Sequence, residues 1–130
     1  MKQSFIVIGH GLTDLFEFQT LIEYNHERIS DIIMLHTPLS KEKLSSACII
    51  MKPTKGQHFQ AIYMIMEGIK YPYPDSNKKF DLINEWANAY HIQVKGLDVK
   101  SRADFAEDEL YFAYLKGVLR LERYLPRFSN

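Results

Sequence analysis

The sequence contains a single cysteine, Cys48, among its 130 residues. One thiol can form no internal disulfide, and no second cysteine is present to join it in a zinc site. Cys48 also lies inside the apolar run of residues 47–51, which favours a buried core thiol over a reactive one. A disulfide-stabilised scaffold is therefore excluded. The 5 histidines are scattered without ligand spacing, so the sequence predicts neither a metal site nor another cofactor.

An excess of charge of one sign is missing as well, because 16 Lys and Arg balance 16 Asp and Glu. Without net positive charge the chain has no overall field that attracts nucleic acid or acidic lipid, so neither is a predicted partner. Long apolar runs are also lacking, and none approaches the roughly 20 residues that cross a membrane. The first run, residues 5–8, is shorter than a signal-peptide core of about 7 residues or more. We therefore predict a cytoplasmic protein without a membrane partner.

The central part of the chain holds three apolar runs, at residues 32–35, 47–51 and 59–66. Turn-forming residues separate them, with Pro38 in the first gap and Pro53 and Gly56 in the second. Short apolar runs between such signals predict strands, and short connections favour antiparallel neighbours. The runs are nearly continuous rather than alternating, which indicates burial on both faces. We predict a three-stranded meander that is covered on each side.

Helical patterns flank this meander. Residues 14–25 place Leu15, Phe18 and Ile22 on one stripe, and residues 77–90 carry a broader apolar stripe. A third helix is predicted to begin at the capping pattern of residues 101–104 and to stop at Pro126. Residues 3–8 and 92–99 are predicted strands, and Gly96 marks a bulge or a close approach within the second of them.

The element order is therefore β-α-β-β-β-α-β-α in one domain, residues 1–130, which is long enough to bury a core. Strands that are interrupted by helices and buried on both faces predict an α/β fold, a three-layer α/β/α sandwich with a mixed five-stranded sheet. The third helix has more apolar surface than one sheet face requires. We therefore predict a homodimer, with Tyr111, Tyr114, Leu121 and Tyr124 as contact residues.

The strongest candidate site in the sequence is the turn Gly9-His10-Gly11, together with Asp14 at the start of the first helix. The glycines let the backbone approach a ligand, and the helix terminus offers N–H groups. A phosphate-binding pattern would have a third glycine at position 14, where the Asp14 carboxylate repels phosphate. We predict that Gly9, His10, Gly11 and Asp14 bind a neutral or cationic polar ligand. The alternative is that the glycines only permit the turn and Asp14 only caps the helix.

Two further stretches are weaker candidates. The stiff segment Tyr71-Pro72-Tyr73-Pro74 is predicted to be a lid over the end of the sheet or a contact surface. Asp98 and Lys100, two residues apart, are predicted to form a strand-end ion pair or a turn before the third helix. His36 and His58 fall at predicted strand ends, where polar rim residues are expected.

The element order from the first helix onward resembles the core of the PD-(D/E)xK nuclease family. That family places its metal-binding acids and lysine on the second and third core strands. Residues 48–51 and 63–66, which correspond to those strands, contain no acid, and Asp98 and Lys100 lie on another strand. The resemblance implies at most a degenerate nuclease-like fold without its metal site.

Across nearly the whole chain the sequence resembles a family of small proteins of Bacillus and its relatives, for which no activity is established. The matching stretches are the turn with Gly9, Gly11 and Asp14, and residues 35–37, 52–54, 67–69, 79–82, 97–100 and 105–112. Some members carry the label methylthioribose kinase. The phosphate loop and catalytic loop of those kinases are absent from this sequence, so we reject the label.

No nucleophile–base pair, metal cluster or phosphate loop is present in the sequence. This favours a non-catalytic binding or regulatory protein with a small-molecule ligand of unknown identity. The alternative is a small enzyme or ligand-binding protein that uses the Gly9 turn.

Overall fold

The structure is a computed structural model that describes residues 2–9, 14–41, 44–53, 59–70 and 78–126. In chain order these residues form β1 (Lys2–Val7), α1 (Asp14–Asn25), β2 (Ile29–His36), β3 (Leu44–Met51), β4 (Phe59–Lys70), α2 (Lys78–Ala89), β5 (Val94–Asp98) and α3 (Asp108–Leu121). Short 3-10 helices at His26–Arg28 and Arg102–Asp104 precede β2 and α3. The predicted order of strands and α-helices is confirmed.

The strands form one mixed sheet in the order β1-β4-β3-β2-β5. The strands β2, β3 and β4 pair antiparallel as the predicted meander. The edge strands β1 and β5 run parallel to their neighbours β4 and β2. All strands except β3 therefore point the same way, and their carboxyl ends lie toward the same end of the sheet.

Both faces of the sheet are covered, as the continuous apolar runs predict. Consecutive residues of a strand point to opposite faces, so Ile32 packs on one side and Ile33 on the other. The first side is closed by α1 and α2, through side chains that include Phe18 and Ile83. The second side is closed by α3, through the side chains of Tyr111, Leu115 and Leu119. The three-layer α/β/α sandwich with a mixed five-stranded sheet is confirmed.

The start of α3 differs from the prediction. Ser101 accepts a hydrogen bond from the Ala103 N–H at 3.2 Å, but it caps the 3-10 helix Arg102–Asp104 rather than α3. Phe105 is then extended, with φ −114° and ψ 144°. Its ring packs against Tyr111 and Tyr114, with centroids 5.7 and 5.2 Å apart. Because this packing requires an extended Phe105, the helix restarts only at Asp108.

The end of α3 also comes earlier than Pro126. Arg123 has a left-handed backbone, with φ 66°. The Tyr124 N–H donates to the Leu119 carbonyl at 2.8 Å. This bond is the six-to-one closure of a Schellman motif, which satisfies a carbonyl of the last turn and ends the helix at that point.

A buried polar network joins α3 to the sheet at the end opposite the strands' carboxyl termini. Gln3 on β1 is 2% exposed, and its side-chain oxygen Oε1 accepts from Arg120 Nε and Nη2 at 2.8 and 2.6 Å. Its amide nitrogen donates to Gln60 Oε1 and to the Pro126 carbonyl, both at 3.1 Å. Gln60 in turn donates to the Met51 carbonyl at 2.8 Å. The network therefore links β1, β4, β3 and α3.

We predict that Gln3→Leu lowers the free energy of unfolding by about 2–3 kcal/mol, because leucine leaves buried partners without their donor and acceptor. Urea unfolding measures the change. The matched control is Gln19→Leu on α1, where the side-chain amide donates to the exposed Glu23 at 2.9 Å. A change within about 0.5 kcal/mol is expected there. Equal losses in both variants would contradict a structural role for the network.

Candidate functional site

A cleft of about 410 Å³ opens where β2 and β5 end side by side. One wall follows β2 and runs into the start of β3, and the other wall follows β5. Parallel neighbouring strands whose connections diverge leave such a crevice at their carboxyl ends. The lining residues are Thr37, Leu39, Ser40, Lys41, Leu44, Ser101, Ala103 and Asp104.

Hydrogen bonds hold the wall that follows β2. The Thr37 hydroxyl donates to the Leu44 carbonyl at 2.7 Å, which ties the two ends of the connection together. The Ser40 N–H donates to the Thr37 carbonyl at 3.1 Å and forms a turn. Thr37 itself is buried. This wall is therefore fixed at its base, while Leu39 at its tip is 98% exposed.

The wall that follows β5 is anchored to both β2 and α3. The Val99 N–H donates to the His36 carbonyl at 2.8 Å. The Lys100 N–H donates to the Tyr114 hydroxyl of α3 at 3.0 Å. The 3-10 helix that contains Ala103 follows directly. One wall is thus tied to the end of β2 and the start of β3, and the other to the end of β2 and to α3, so the cleft has little freedom to collapse.

His36, the last residue of β2, lies on the sheet face covered by α1 and α2, behind the cleft. Its Nδ1 is 2.9 Å from Ser45 Oγ, and Ser45 is fully buried. Burial lowers the pKa of His36, and the nearby Asp98 carboxylate opposes this shift. Burial therefore favours the neutral form of the imidazole. Gly96 of β5 lies so close that a Cβ there would be 2.8 Å from His36 Nε2, which confirms the predicted close approach.

The predicted Gly9 site is described only in part. Gly9 has φ 74°, a left-handed value that favours glycine. His10 and Gly11 lie outside the described residues, as does the side chain of Asp14. Strand β1 ends beside Met64 of β4, whereas the His36 level of the sheet corresponds to Ile69. The Gly9 turn and the cleft are therefore separate places at the same end of the sheet.

A second depression, of about 280 Å³, lies beside the Gly9 turn. Its lining is mostly apolar and comes from α1, β4 and the end of β1: Ile8, Phe16, Glu17, Thr20, Leu21 and Tyr63. Phe16 is 70% exposed there. This lining suits an apolar group better than the polar ligand predicted for the turn. Residues 71–74, which the sequence predicts to be a lid or a contact surface, lie outside the described residues.

The four predicted contact residues of the dimer do not share one surface. Tyr111 is 1% exposed and packs in the core between α3 and the sheet, so it offers no surface to a partner. The Tyr114 hydroxyl binds the cleft wall, as described above. Tyr124 lies under the Lys95 ammonium, which is 5.1 Å from the ring centroid. Leu121 is 75% exposed.

Of the predicted ion pair Asp98–Lys100, only Asp98 lies on a strand, and the alternative, a turn before α3, stays a prediction. β5 ends at Asp98, whose Cα pairs with that of His36. Lys100 follows the strand, and its Nζ lies 5.9 Å from the Tyr114 ring centroid. Within the described residues, no group of three or more His, Cys, Asp or Glu side chains is placed to hold a metal ion.

We predict that Gly96→Ala lowers the free energy of unfolding by about 1–3 kcal/mol, because the new methyl group displaces the His36 ring. In a His36→Ala background the same change should leave the free energy of unfolding unchanged or raise it by about 0.4–1 kcal/mol, because alanine reduces the conformational entropy of the unfolded chain. A double-mutant cycle by urea unfolding measures this sign reversal. The same loss in both backgrounds would show that the contact between Gly96 and His36 is not responsible.

The cleft itself was not predicted from the sequence. Its polar residues Ser40 and Lys41 lie in a loop and Asp104 in a 3-10 helix, and it is the pairing of β5 with β2 that brings them to one cleft. The one available signal was that His36 and Thr37 follow a buried strand directly.

Among the helices of the described residues, none is long and apolar enough to span a membrane.

Comparison with known proteins gives a family without a known activity. Neither the curated proteins nor the solved structures include a match to this chain. A family described as a domain of unknown function, DUF7147, matches residues 1–125. Because the match covers nearly the whole chain, the protein belongs to the DUF7147 family.

Proposed function

We propose that this chain is a cytoplasmic bacterial protein of one domain, a non-catalytic binding or regulatory module that takes a small polar molecule in the cleft between β2 and β5. The observation that carries the proposal is the cleft with its two anchored walls. Its volume of about 410 Å³ falls within the range of about 300–1,000 Å³ that is usual for small-molecule sites.

The anchored walls support binding because a preformed site loses little conformational entropy when a ligand binds. Thr37 fixes the base of one wall through Leu44, and Tyr114 fixes the other through the Lys100 backbone. A ligand would then displace only water and order the exposed tips, such as Leu39 and Lys41.

Binding is favoured over catalysis by the state of the reactive groups that the structure describes. Ser45 beside His36 is fully buried, so its hydroxyl cannot reach a substrate. Cys48 is also fully buried, and burial raises the pKa of its thiol, which keeps it protonated. A nucleophile must be both accessible and activated, and neither of these groups meets the first condition.

The proposal is tested by blocking the cleft. Ala103 is an exposed lining residue, and Ala103→Trp should fill the space between the walls while its backbone bond to Ser101 is retained. The matched control is Ala106→Trp, an exposed position three residues further along that does not line the cleft. We expect at least one compound in a thermal-shift panel of amino acids, sugars, carboxylic acids and nucleotides to raise the Tm of the parent and the control. The blocked variant should show no rise.

The outcome also separates this site from the Gly9 turn. A hit that still stabilises Ala103→Trp but not His10→Ala would show that Gly9, His10, Gly11 and Asp14 form the binding site instead. If no compound in the panel raises the Tm of the parent at millimolar concentration, the small-molecule proposal is wrong.

We also propose a homodimer through the outward stripe of α3. Leu110 and Leu121 are 52% and 75% exposed, and they lie three turns apart on one side of the helix. Gly117 lies on the same stripe, where an added Cβ would meet nothing within 4 Å. A two-fold contact along this stripe would pack Leu110 of one copy near Leu121 of the other. Tyr111 takes no part, and Tyr114 and Tyr124 contribute at most their half-buried edges.

Sedimentation equilibrium tests the dimer. The measured mass of the parent should be twice the chain mass of 15.3 kDa, and that of Leu121→Lys should be the mass of one chain. When the Tm of each protein is extrapolated to low concentration, the two values should agree. Tyr24→Lys is the matched control, because Tyr24 on α1 is 82% exposed and lies away from the stripe. A monomeric parent at micromolar concentration, or a dimeric Leu121→Lys, would rule out this interface.

A further inference from the structure

We infer that the cleft takes a free α-amino acid with an aliphatic side chain. The inference rests on the function proposed above and names its ligand class. The described lining residues supply charges of both signs, hydroxyl groups and an uncovered apolar side chain. The charges and the hydroxyl groups match the ammonium and the carboxylate of such a ligand, and the apolar side chain matches its aliphatic group.

The two walls contribute opposite charges. Lys41 belongs to the wall that follows β2, and Asp104 belongs to the wall that follows β5; both are exposed residues of the lining. A ligand with an ammonium and a carboxylate on one carbon offers each of them a partner of opposite sign. Asp104 would repel a phosphate, and Lys41 would repel a polyamine. The charges of the described lining therefore favour a zwitterion.

The hydroxyl groups can serve both ends of a zwitterion. The Thr37 hydroxyl proton is used on the Leu44 carbonyl, so its oxygen can accept from an ammonium. The Ser101 oxygen accepts from the Ala103 N–H, so its proton can be donated to a carboxylate. The lining thus offers an acceptor and a donor in addition to its two charges.

The apolar part of the lining matches an aliphatic side chain. Leu39 is 98% exposed at the tip of its wall, and Leu44 is half-buried at its base. A large apolar side chain at the mouth of a polar cleft is stabilised when an apolar group of the ligand removes it from water. The cleft volume, near the lower limit for ligand sites, suits a molecule of this size better than a dinucleotide.

Isothermal titration of the full chain with three related compounds tests the class. L-leucine carries both charges, N-acetyl-L-leucine lacks the ammonium, and L-leucinamide lacks the carboxylate. We expect L-leucine to bind and each derivative to bind at least about tenfold more weakly, since each loses one charge-assisted contact. L-isoleucine, L-valine and L-methionine serve as further aliphatic probes.

Two neutral variants assign the charges. Lys41→Met should bind L-leucine and L-leucinamide with similar Kd, because the carboxylate has lost its charged partner and the Ser101 hydroxyl can donate to a carboxylate or to an amide oxygen. Asp104→Asn should bring the Kd of L-leucine close to that of N-acetyl-L-leucine, because the ammonium has lost its charged partner and keeps only the Thr37 oxygen. The matched controls Lys52→Met and Asp81→Asn change exposed residues outside the cleft and should keep the selectivity of the parent. Both cleft positions are exposed, so the Tm of each unliganded variant should stay near that of the parent.

The outcomes separate this inference from the proposed function. If a sugar, carboxylic acid or nucleotide binds in a way that Ala103→Trp abolishes, while no aliphatic amino acid binds, the cleft is a ligand site but the amino-acid class is wrong. The class is also wrong if the two derivatives bind as tightly as L-leucine. If no compound binds, or if L-leucine binds Ala103→Trp as tightly as the parent, the cleft and the inference fail together.

Discussion

Burial of the central meander on both faces constrains the rest of the structure. Ile32 and Ile33 are consecutive, lie on opposite faces and are both fully buried, and Ile49 and Ile50 repeat this on β3. Such strands are stable only when a layer of side chains covers each face. The helices α1 and α2 supply one layer and α3 supplies the other. None of the three can be removed without exposing a continuous apolar face to water.

The same constraint decides where a ligand can bind. Because helices cover the two faces, polar groups that face water collect at the ends of the strands. The described sheet has two pairs of parallel neighbours, β1 with β4 and β2 with β5. Of these, β2 and β5 end at nearly the same level, with His36 paired to Asp98. Their continuations turn apart and leave the cleft. β1 is also parallel, but it ends at Met64 of β4, so its turn does not merge with that cleft.

The features that could be predicted from the sequence are those that local patterns determine. The apolar runs around Ile33, Ile49 and Met64 predict strands whichever strands they pair with. The stripe of Phe18 and Ile22 predicts a helix whichever surface it packs against. The features that were missed depend on distant partners. The four-residue capping pattern that begins at Ser101 fits a 3-10 turn as well as an α-helix, and the packing of Phe105 decides between them. The many apolar residues of α3 are visible in the sequence, but periodicity alone could not show that Tyr111 is buried against the sheet while Leu121 is exposed.

The candidate site was missed for the same reason. Residues of the cleft come from segments about sixty positions apart, and nothing local in either segment indicates the other. Gly96 gave a local signal of close approach, but the ring that approaches it belongs to His36, on a strand whose pairing with β5 is a non-local fact. The predicted Gly9 turn, by contrast, was visible because its two glycines lie only two positions apart in sequence. Local motifs therefore favoured a turn, whereas the sheet order brings the polar groups of the cleft together.

The helix α3 connects the two ends of the sheet, and this bears on how rigid the cleft is. Arg120 binds Gln3 at the end opposite the cleft, and the Tyr114 hydroxyl accepts from the Lys100 N–H at the cleft wall. These two residues are six positions apart, about 9 Å along the helix axis, and Leu115 and Leu119 between them are fully buried. A shift of α3 along its axis would break both polar contacts and unpack both leucines together. The position of the wall that follows β5 is therefore set by the core itself, so the cleft is as rigid as the packing of α3 against the sheet.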